Sequence, residues 1–271
     1  LSNEYADAAD MPALAQAILE RLEALDGFTR QGTVSLGPRM HAETTPLLER
    51  FFAVVRRRGD ELHALVHPAE GVNRFLGNAS FRASAAFSGQ EFGGIAFVSR
   101  RNVDKRLIGM DSFVPVSLLT SDSRSLGFYG DIKPSVDSPI QAQLYRRFPN
   151  VNFMLHAHVY VEGAPFTERF APCGSLEEVE QIVRAAGDDA SRTDFAVNLL
   201  GHGSIILAGD PDYLEKTVNL LSRPEPERLK TDGSKSGSRL SVTIAHSEDA
   251  VRDKLRADLR GLLKIAFMDI D

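Results

Sequence analysis

Apolar residues recur along this chain at two spacings. In some segments they fall three to four residues apart; in others they alternate or form short runs. The first spacing marks amphipathic helices. Leu14, Ile18, Leu22 and Leu25 share a stripe behind an N-cap at Asp10, with Gly27 as the stop. Thr45-Pro46 opens a helix through Phe51 and Val55, closed by Gly59; proline suits the first helical position. Ser138-Pro139 starts another, with Ile140 and Leu144 facing inward. Ser175 and Glu178 have capping-box spacing ahead of Val179, Ile182 and Val183, and Gly187 ends that helix. Asp210-Pro211 precedes Leu214, Val218 and Leu221, and Ser247 precedes Val251, Leu255, Leu259 and Leu262.

The short apolar runs predict strands at 62–65, 95–98, 113–118, 153–159, 195–200 and 204–207. A Gly77-Asn78 turn leads into one more, containing Phe81. Helices alternating with strands imply an α/β or α+β domain with helices packed on a central sheet. Residues 28–44 are mixed and rich in turn formers, and 223–238 read as a surface loop or linker.

Composition narrows the function classes. A net charge of −6 with no long basic block argues against nucleic acid, and Arg56-Arg57-Arg58 reads as the solvated end of a helix. No apolar run is long enough to span a membrane. The single cysteine, Cys173, excludes an intrachain disulfide and a thiolate metal cage, which fits a reducing cytoplasm.

The chemistry concentrates in histidines. If 151–160 is a strand, Phe153, Leu155, Ala157 and Val159 form one face, while Met154, His156 and His158 look the other way. Two imidazoles two residues apart on a strand stand about 6–7 Å apart and can lean onto one ion. His202, between Gly201 and Gly203, is a third candidate. Three imidazoles with one position left open is the ligand set of a catalytic metal. The competing view makes the pair a coincidence and His202 a turn residue; the buried look of these segments favours ligands, because a buried imidazole without a partner is costly.

Three other segments carry polar groups. In Lys133–Pro139, Ser135, Asp137 and Ser138 sit before a helix N-terminus, as caps or as an anion site. Asn78, in the Gly77–Arg82 turn, is a turn residue or a donor to a phosphate or carboxylate oxygen. Arg100, Arg101, Asn102 and Lys105 lie in a loop after a strand, solvated by default and anion-binding in the sharper reading.

In this order the segments resemble the class II aldolase/adducin family. The matching stretches are Gly77–Arg82, Ser99–Lys105, Lys133–Asp137, Leu144-Tyr145 with Pro149–Asn152, His156-Ala157-His158, and Leu200–Gly203. The resemblance spans roughly 45–222 and rests on several segments in the right order rather than any one. It implies a three-layer α/β/α domain with a central, mainly antiparallel sheet flanked by helices. Residues 1–44 would be an N-terminal helical extension, and 223–271 a linker and C-terminal helix on the same domain. Residue by residue it implies metal ligands at His156, His158 and His202, and an acid/base carboxylate at Asp137. Substrate-anion contacts would fall on Asn78, Arg101, Asn102 and Ser135.

The chain departs from the pattern where Asp137 stands for Glu, Val136 for Ser, and Arg101-Asn102 for Thr-Gly. His202 follows His158 by 44 positions, shorter than in such sugar-phosphate aldolases, and no tyrosine follows Tyr213 to match the family's catalytic one. Asp137 is therefore a base, a ligand or both, and sugar-phosphate specificity is weakened more than metal binding. The implied activity is a cytoplasmic lyase of carbohydrate metabolism, forming or cleaving a C–C bond in a hydroxy-carbonyl substrate through a metal-stabilised enediolate. Zinc is the default ion, with manganese, cobalt or iron as alternatives. A small anionic substrate and a homotetramer belong to the same expectation. Competing readings are epimerisation or decarboxylation on the same site, and a non-catalytic adducin-like module. A structural zinc drawing on His63, His67 or Cys173 is the weakest.

Overall fold

The computed structural model describes residues 32–62, 75–119, 125–168, 171, 174–200 and 202–222. These belong to one compact unit, Gln31–Pro224. The helices expected at 10–27 and 247–262, and His63, His67 and Cys173, lie outside the described residues.

Among the described residues the centre is an eight-stranded sheet. Its strands are β1 (Gly32–Gly37), β2 (Asn78–Arg82), β3 (Ile95–Ser99), β4 (Phe113–Ser117), β5 (Ser125–Tyr129), β6 (Phe153–Ala157), β8 (Phe195–Leu199) and β9 (Gly203–Ala208), and a separate small pair joins β7 (Tyr160–Val161) to β10 (Leu221–Ser222). The order across the large sheet is β1-β5-β4-β3-β2-β6-β9-β8. Every pairing in it is antiparallel except β1 with β5.

Among the described residues, four helices of eight residues or more cover the sheet: α1 (Pro46–Arg57), α2 (Ser138–Arg147), α3 (Glu177–Ala186) and α4 (Pro211–Val218). The period-two pattern distributes them. Phe81, Phe97, Phe113, Phe153 and Leu155 pack with Phe51, Phe52 and Val55 of α1 and Leu214 of α4. Ala96, Val98, Val116, Met154, Val197 and Ile205 face the other way, onto Ile140, Leu144 and Tyr145 of α2 and Ile182 of α3. The result is the expected three-layer α/β/α arrangement around a mainly antiparallel sheet.

Local chemistry fixes the helix ends. Thr45 Oγ1 accepts from Leu48 N–H at 3.3 Å with Pro46 in the first turn, and Arg56 and Arg57 occupy the last turn of α1. Asp210 caps α4 through Asp212 N–H. The capping box expected at Ser175 and Glu178 is not made. Helix α3 starts at Glu177 with no side-chain cap, and Ser175 Oγ is buried without a partner among the described residues. Glu178 is drawn elsewhere, as described below.

Two further expectations are corrected. The stretch 28–44 contains strand β1, whose apolar Val34 and Leu36 are about half exposed, so no inward stripe announced it. Leu62 closes a short helical turn, Gly59–Leu62, rather than opening a strand. Strand β5 also escaped the pattern, because Gly127 interrupts its apolar run.

Strand β2 ties α2 along its whole length through alternate residues on one face. Asn78 reaches its N-terminal end, through Asp137 and Gln141. Ser80 Oγ meets Tyr145 Oη at 3.0 Å. Arg82 donates to the carbonyls of Tyr145 (2.7 Å), Phe148 (3.3 Å) and Val151 (3.0 Å), and its guanidinium lies 4.9 Å from the Tyr145 ring centroid. An arginine on the free carbonyls at a helix C-terminus satisfies acceptors that the helix itself cannot.

On the opposite face Phe51 anchors α1, with the rings of Phe52, Phe81, Phe113 and Phe153 at 5.0–6.3 Å between centroids. Phe51 is fully buried. Phe51→Ala is expected to destabilise the domain by about 3–5 kcal/mol, read as a lowered midpoint in urea unfolding with little change in slope.

Candidate metal centre

The histidine strand β6 lies between β2 and β9, and its register sets the site. His156 pairs with Asn78 on one side and with Ile205 on the other, and Ala157 pairs with Ser204. His156 therefore shares the α2/α3 face with Asn78, at the sheet end where both helices begin.

The two glycines flanking this end answer to close backbone approach. Gly77 has φ +72°, and a Cβ there would sit 2.5 Å from the His156 carbonyl oxygen. Gly203 has φ +146°, and its Cβ would fall 2.1 Å from the Ala157 oxygen and 2.8 Å from His158 Cα. Only a residue without a side chain lets β9 start this close to the end of β6, and that closeness carries His202 to the other two histidines.

The three rings converge. Centroids are 4.9 Å apart for His156 and His158, 4.7 Å for His156 and His202, and 5.0 Å for His158 and His202. One ligand atom from each lies within 4.8 Å of the others, so the group could hold a metal ion.

Hydrogen bonds orient two of the rings. His156 Nδ1 is 2.9 Å from the Ser204 carbonyl oxygen; a carbonyl only accepts, so Nδ1 carries the proton and Nε2 the lone pair. His202 Nδ1 is 2.8 Å from Glu178 Oε1. Among the described residues, neither His156 Nε2 nor His202 Nε2 has a hydrogen-bond partner, and both are buried. Buried lone pairs of this kind, on imidazoles already oriented through the opposite nitrogen, fit a divalent ion.

Electrostatics keeps two of the imidazoles neutral and ready to ligate. Burial, helped by the charge of His202, pushes His156 down to about 4. Burial and the same neighbours push His158 well below the usual histidine range. Burial also works against a charged His202, but the Glu178 carboxylate beside Nδ1 outweighs it and moves the ring upward from the usual histidine range.

Asp137 occupies the N-cap position of α2 without making a cap bond, and Ser138 Oγ donates to the Ser135 carbonyl instead. The Asp137 side chain turns to the histidines: Oδ2 is 4.0 Å from His156 Nε2 and accepts from Asn78 Nδ2 at 2.7 Å. Asn78 Nδ2 also reaches Ser135 Oγ at 3.3 Å, while Gln141 Nε2 donates to Asn78 Oδ1. Asn78 and Gln141 are essentially closed to solvent.

The structure brings together His156, His158, His202, Asp137, Asn78 and Ser135. It does not bring Arg101 or Asn102 among them. Arg101 is exposed on a turn, and Asn102 adopts a left-handed backbone (φ 55°) while its Oδ1 accepts from Phe75 N–H at 2.8 Å, as a turn residue.

Three side chains at the site were missed or misread in the sequence. Gln141 stands one helical turn after Asp137, a spacing that could have flagged it. Glu178 passed for a capping residue. Lys105 passed for a solvated loop residue, yet it is 1% exposed, with Nζ donating to the Phe75 carbonyl at 3.0 Å.

Residues 61–162 match the family described as the Class II Aldolase and Adducin N-terminal domain. The matched stretch holds Asn78, Asp137, His156 and His158, while Glu178 and His202 lie beyond it. No curated protein matches the chain. Among solved structures, it is similar to YgbL from Escherichia coli (14% identity, 77% of this chain and 96% of that one, TM-score 0.43). It is also similar to L-fuculose-1-phosphate aldolase from Thermus thermophilus (18% identity, 78% and 97%, TM-score 0.38). A sugar-phosphate aldolase from Thermotoga maritima is similar at 15% identity, 70% and 99% coverage and TM-score 0.41. Likeness at this level transfers neither activity nor substrate.

Burial pushes Lys105 from 10.5 down to about 7, with Asp104 and Asp137 pulling the other way. A lysine whose pKa is depressed in the folded state binds fewer protons there than when unfolded, so it costs stability below about pH 7, and the cost fades as pH rises towards 10.5. Urea midpoints of the wild type should therefore rise across that window relative to those of Lys105→Met. Parallel curves for the two proteins would contradict the assignment.

Proposed function

We propose that this protein is a metal-dependent lyase of the class II aldolase type, making or breaking a carbon–carbon bond in an anionic hydroxy-carbonyl substrate. The observation that carries the reading is the convergence of His156, His158 and His202, with two buried Nε2 lone pairs, beside the carboxylate of Asp137. These three histidines would hold the ion; imidazoles suit zinc, and also cobalt and iron. When bound, such a cation polarises a carbonyl oxygen and offsets the negative charge that develops there.

The chain's own residues do the rest. Asn78 fixes the rotamer of Asp137 through Oδ2, so this carboxylate can take or return a proton at the substrate carbon without reorienting. Burial of Asp137 limits the water that would otherwise compete for a carbanion. Asn78 and Ser135 are bonded to each other, Asn78 also to Asp137, and Val136 has no hydroxyl. That commitment favours a hydroxy-acid substrate over a sugar phosphate. The single cysteine, Cys173, fits the reducing cytoplasm that this reading assumes, and the homotetramer implied by the resemblance belongs to it as well.

Protein purified without added ions should carry a stoichiometric transition metal by plasma emission, lost in His202→Ala. Asp137→Asn should lower turnover by about 10²–10⁴-fold with metal content unchanged. Loss of the metal together with activity would make Asp137 a ligand. A product screen over hydroxy acids and sugar phosphates separates carbon–carbon cleavage from epimerisation or decarboxylation by the same residues. Absence of any stoichiometric metal in the wild type would overturn the enzymatic reading and leave the adducin-like module.

A further inference from the structure

Glu178 and Glu177 are both buried near the N-terminus of α3, and the mechanism above uses neither. Glu178 has a defined target: its Oε1 lies 2.8 Å from His202 Nδ1, and the two side chains are 4% and 7% exposed. A buried carboxylate is costly unless it is paired, and this one is spent on an imidazole rather than on a helix cap. The other nitrogen of the same ring, Nε2, is one of the two lone pairs turned into the histidine cluster.

We propose that Glu178 is a positioning residue for the metal ligand His202: it fixes the Nδ1–H tautomer, aims Nε2 at the site and raises the basicity of that nitrogen. The inference rests on the metal-site reading above. Its physical basis is the asymmetry between the two oriented histidines. His156 is held by a neutral backbone carbonyl, that of Ser204, on a strand whose register already fixes the ring. His202 sits one residue before β9, and its backbone N–H reaches only the Leu199 carbonyl at 2.9 Å, in a tight turn. Its ring owes its orientation to a side chain contributed by another element. A charged acceptor also strengthens the Nδ1–H bond more than a carbonyl does, which increases electron density at Nε2. Glu178 therefore joins the first turn of α3 to the start of β9, so the site is complete only when that helix is docked.

The test uses the full-length protein stripped of metal and titrated with Co²⁺, whose ligand-field absorption reports ligand geometry, with a chelator competing to give Kd. Glu178→Ala should weaken Co²⁺ binding by about 10–100-fold. Glu178→Gln keeps the volume and an accepting oxygen without the charge. It should show a smaller but measurable loss with a wild-type-like absorption band, whereas a merely space-filling role would leave its affinity at the wild-type value. Glu178→Gln also carries the test if the alanine variant fails to fold, and in that case wild-type affinity in it overturns the proposal. Wild-type affinity and spectrum in both variants would equally overturn the role of Glu178 while leaving the metal site standing. A wild-type protein that binds no Co²⁺ would overturn both readings together.

Discussion

The structure depends on a close approach of backbone to backbone at one end of the sheet. Strand β9 begins against the last residue of β6 and the bend after it, at a distance no side chain at Gly203 would permit. The register that follows places Ser204 opposite Ala157 and puts the Ser204 carbonyl on the Nδ1 proton of His156. A backbone contact thus decides the tautomer of one imidazole and the position of another. The outcome is two Nε2 atoms buried without a donor among the described residues. A buried acceptor left unmet costs about 1–3 kcal/mol. A fold that pointed such atoms at each other for packing alone would lose stability and gain nothing, whereas a cation at their meeting point reverses the sign.

The same economy runs through β2. While Ala79 and Phe81 enter the apolar core, its residues on the other face serve α2. Asn78 serves the first turn, Ser80 the middle and Arg82 the last carbonyls, so one short strand sets both the rotation and the position of the helix along its axis. Asp137 stands at the front of that helix. A shift of α2 along its axis by a fraction of a turn would carry the carboxylate away from His156, and the Arg82 bonds to the far end resist that shift. The geometry of the candidate site is in this sense set from the far end of the helix.

Much of this was legible in the residues. The alternation in 153–159 put His156 opposite the Phe153 and Leu155 face, and the two faces indeed enter different cores. Helix starts at Pro46 and Pro211 were written in their caps. Less legible was whatever depends on an acceptor chosen in three dimensions. Glu178 has the spacing of a cap and becomes the partner of His202, its Oε1 lying 2.8 Å from the imidazole Nδ1. Lys105 sits in a run of charged residues, but only its neighbours reach solvent, and the backbone carbonyl that takes its proton is 30 residues away. Strands β1 and β5 were hidden for a simpler reason. Exposed Val34 and Leu36 give β1 no inward stripe, and a glycine breaks the apolar run of β5.

The balance of buried charge also bears on what the site can accept. Asp137 and Glu178 bring two carboxyl groups into a space shared with three imidazoles, and burial disfavours protonating His156 and His158. Lys105, the one buried ammonium among the described residues, is itself pushed towards neutrality and gives a hydrogen bond to a backbone oxygen. Lone pairs and carboxylates therefore outnumber fixed positive charge. A cluster built to receive an anion directly would show the reverse, with donors facing inward. Here Asn78 donates to groups of the protein itself, Asp137 and Ser135. In the reading proposed above, a divalent cation would restore the balance, and only then would the site attract a negatively charged substrate. Under the proposed function, metal first and anion second is the order of binding that this distribution of charge favours.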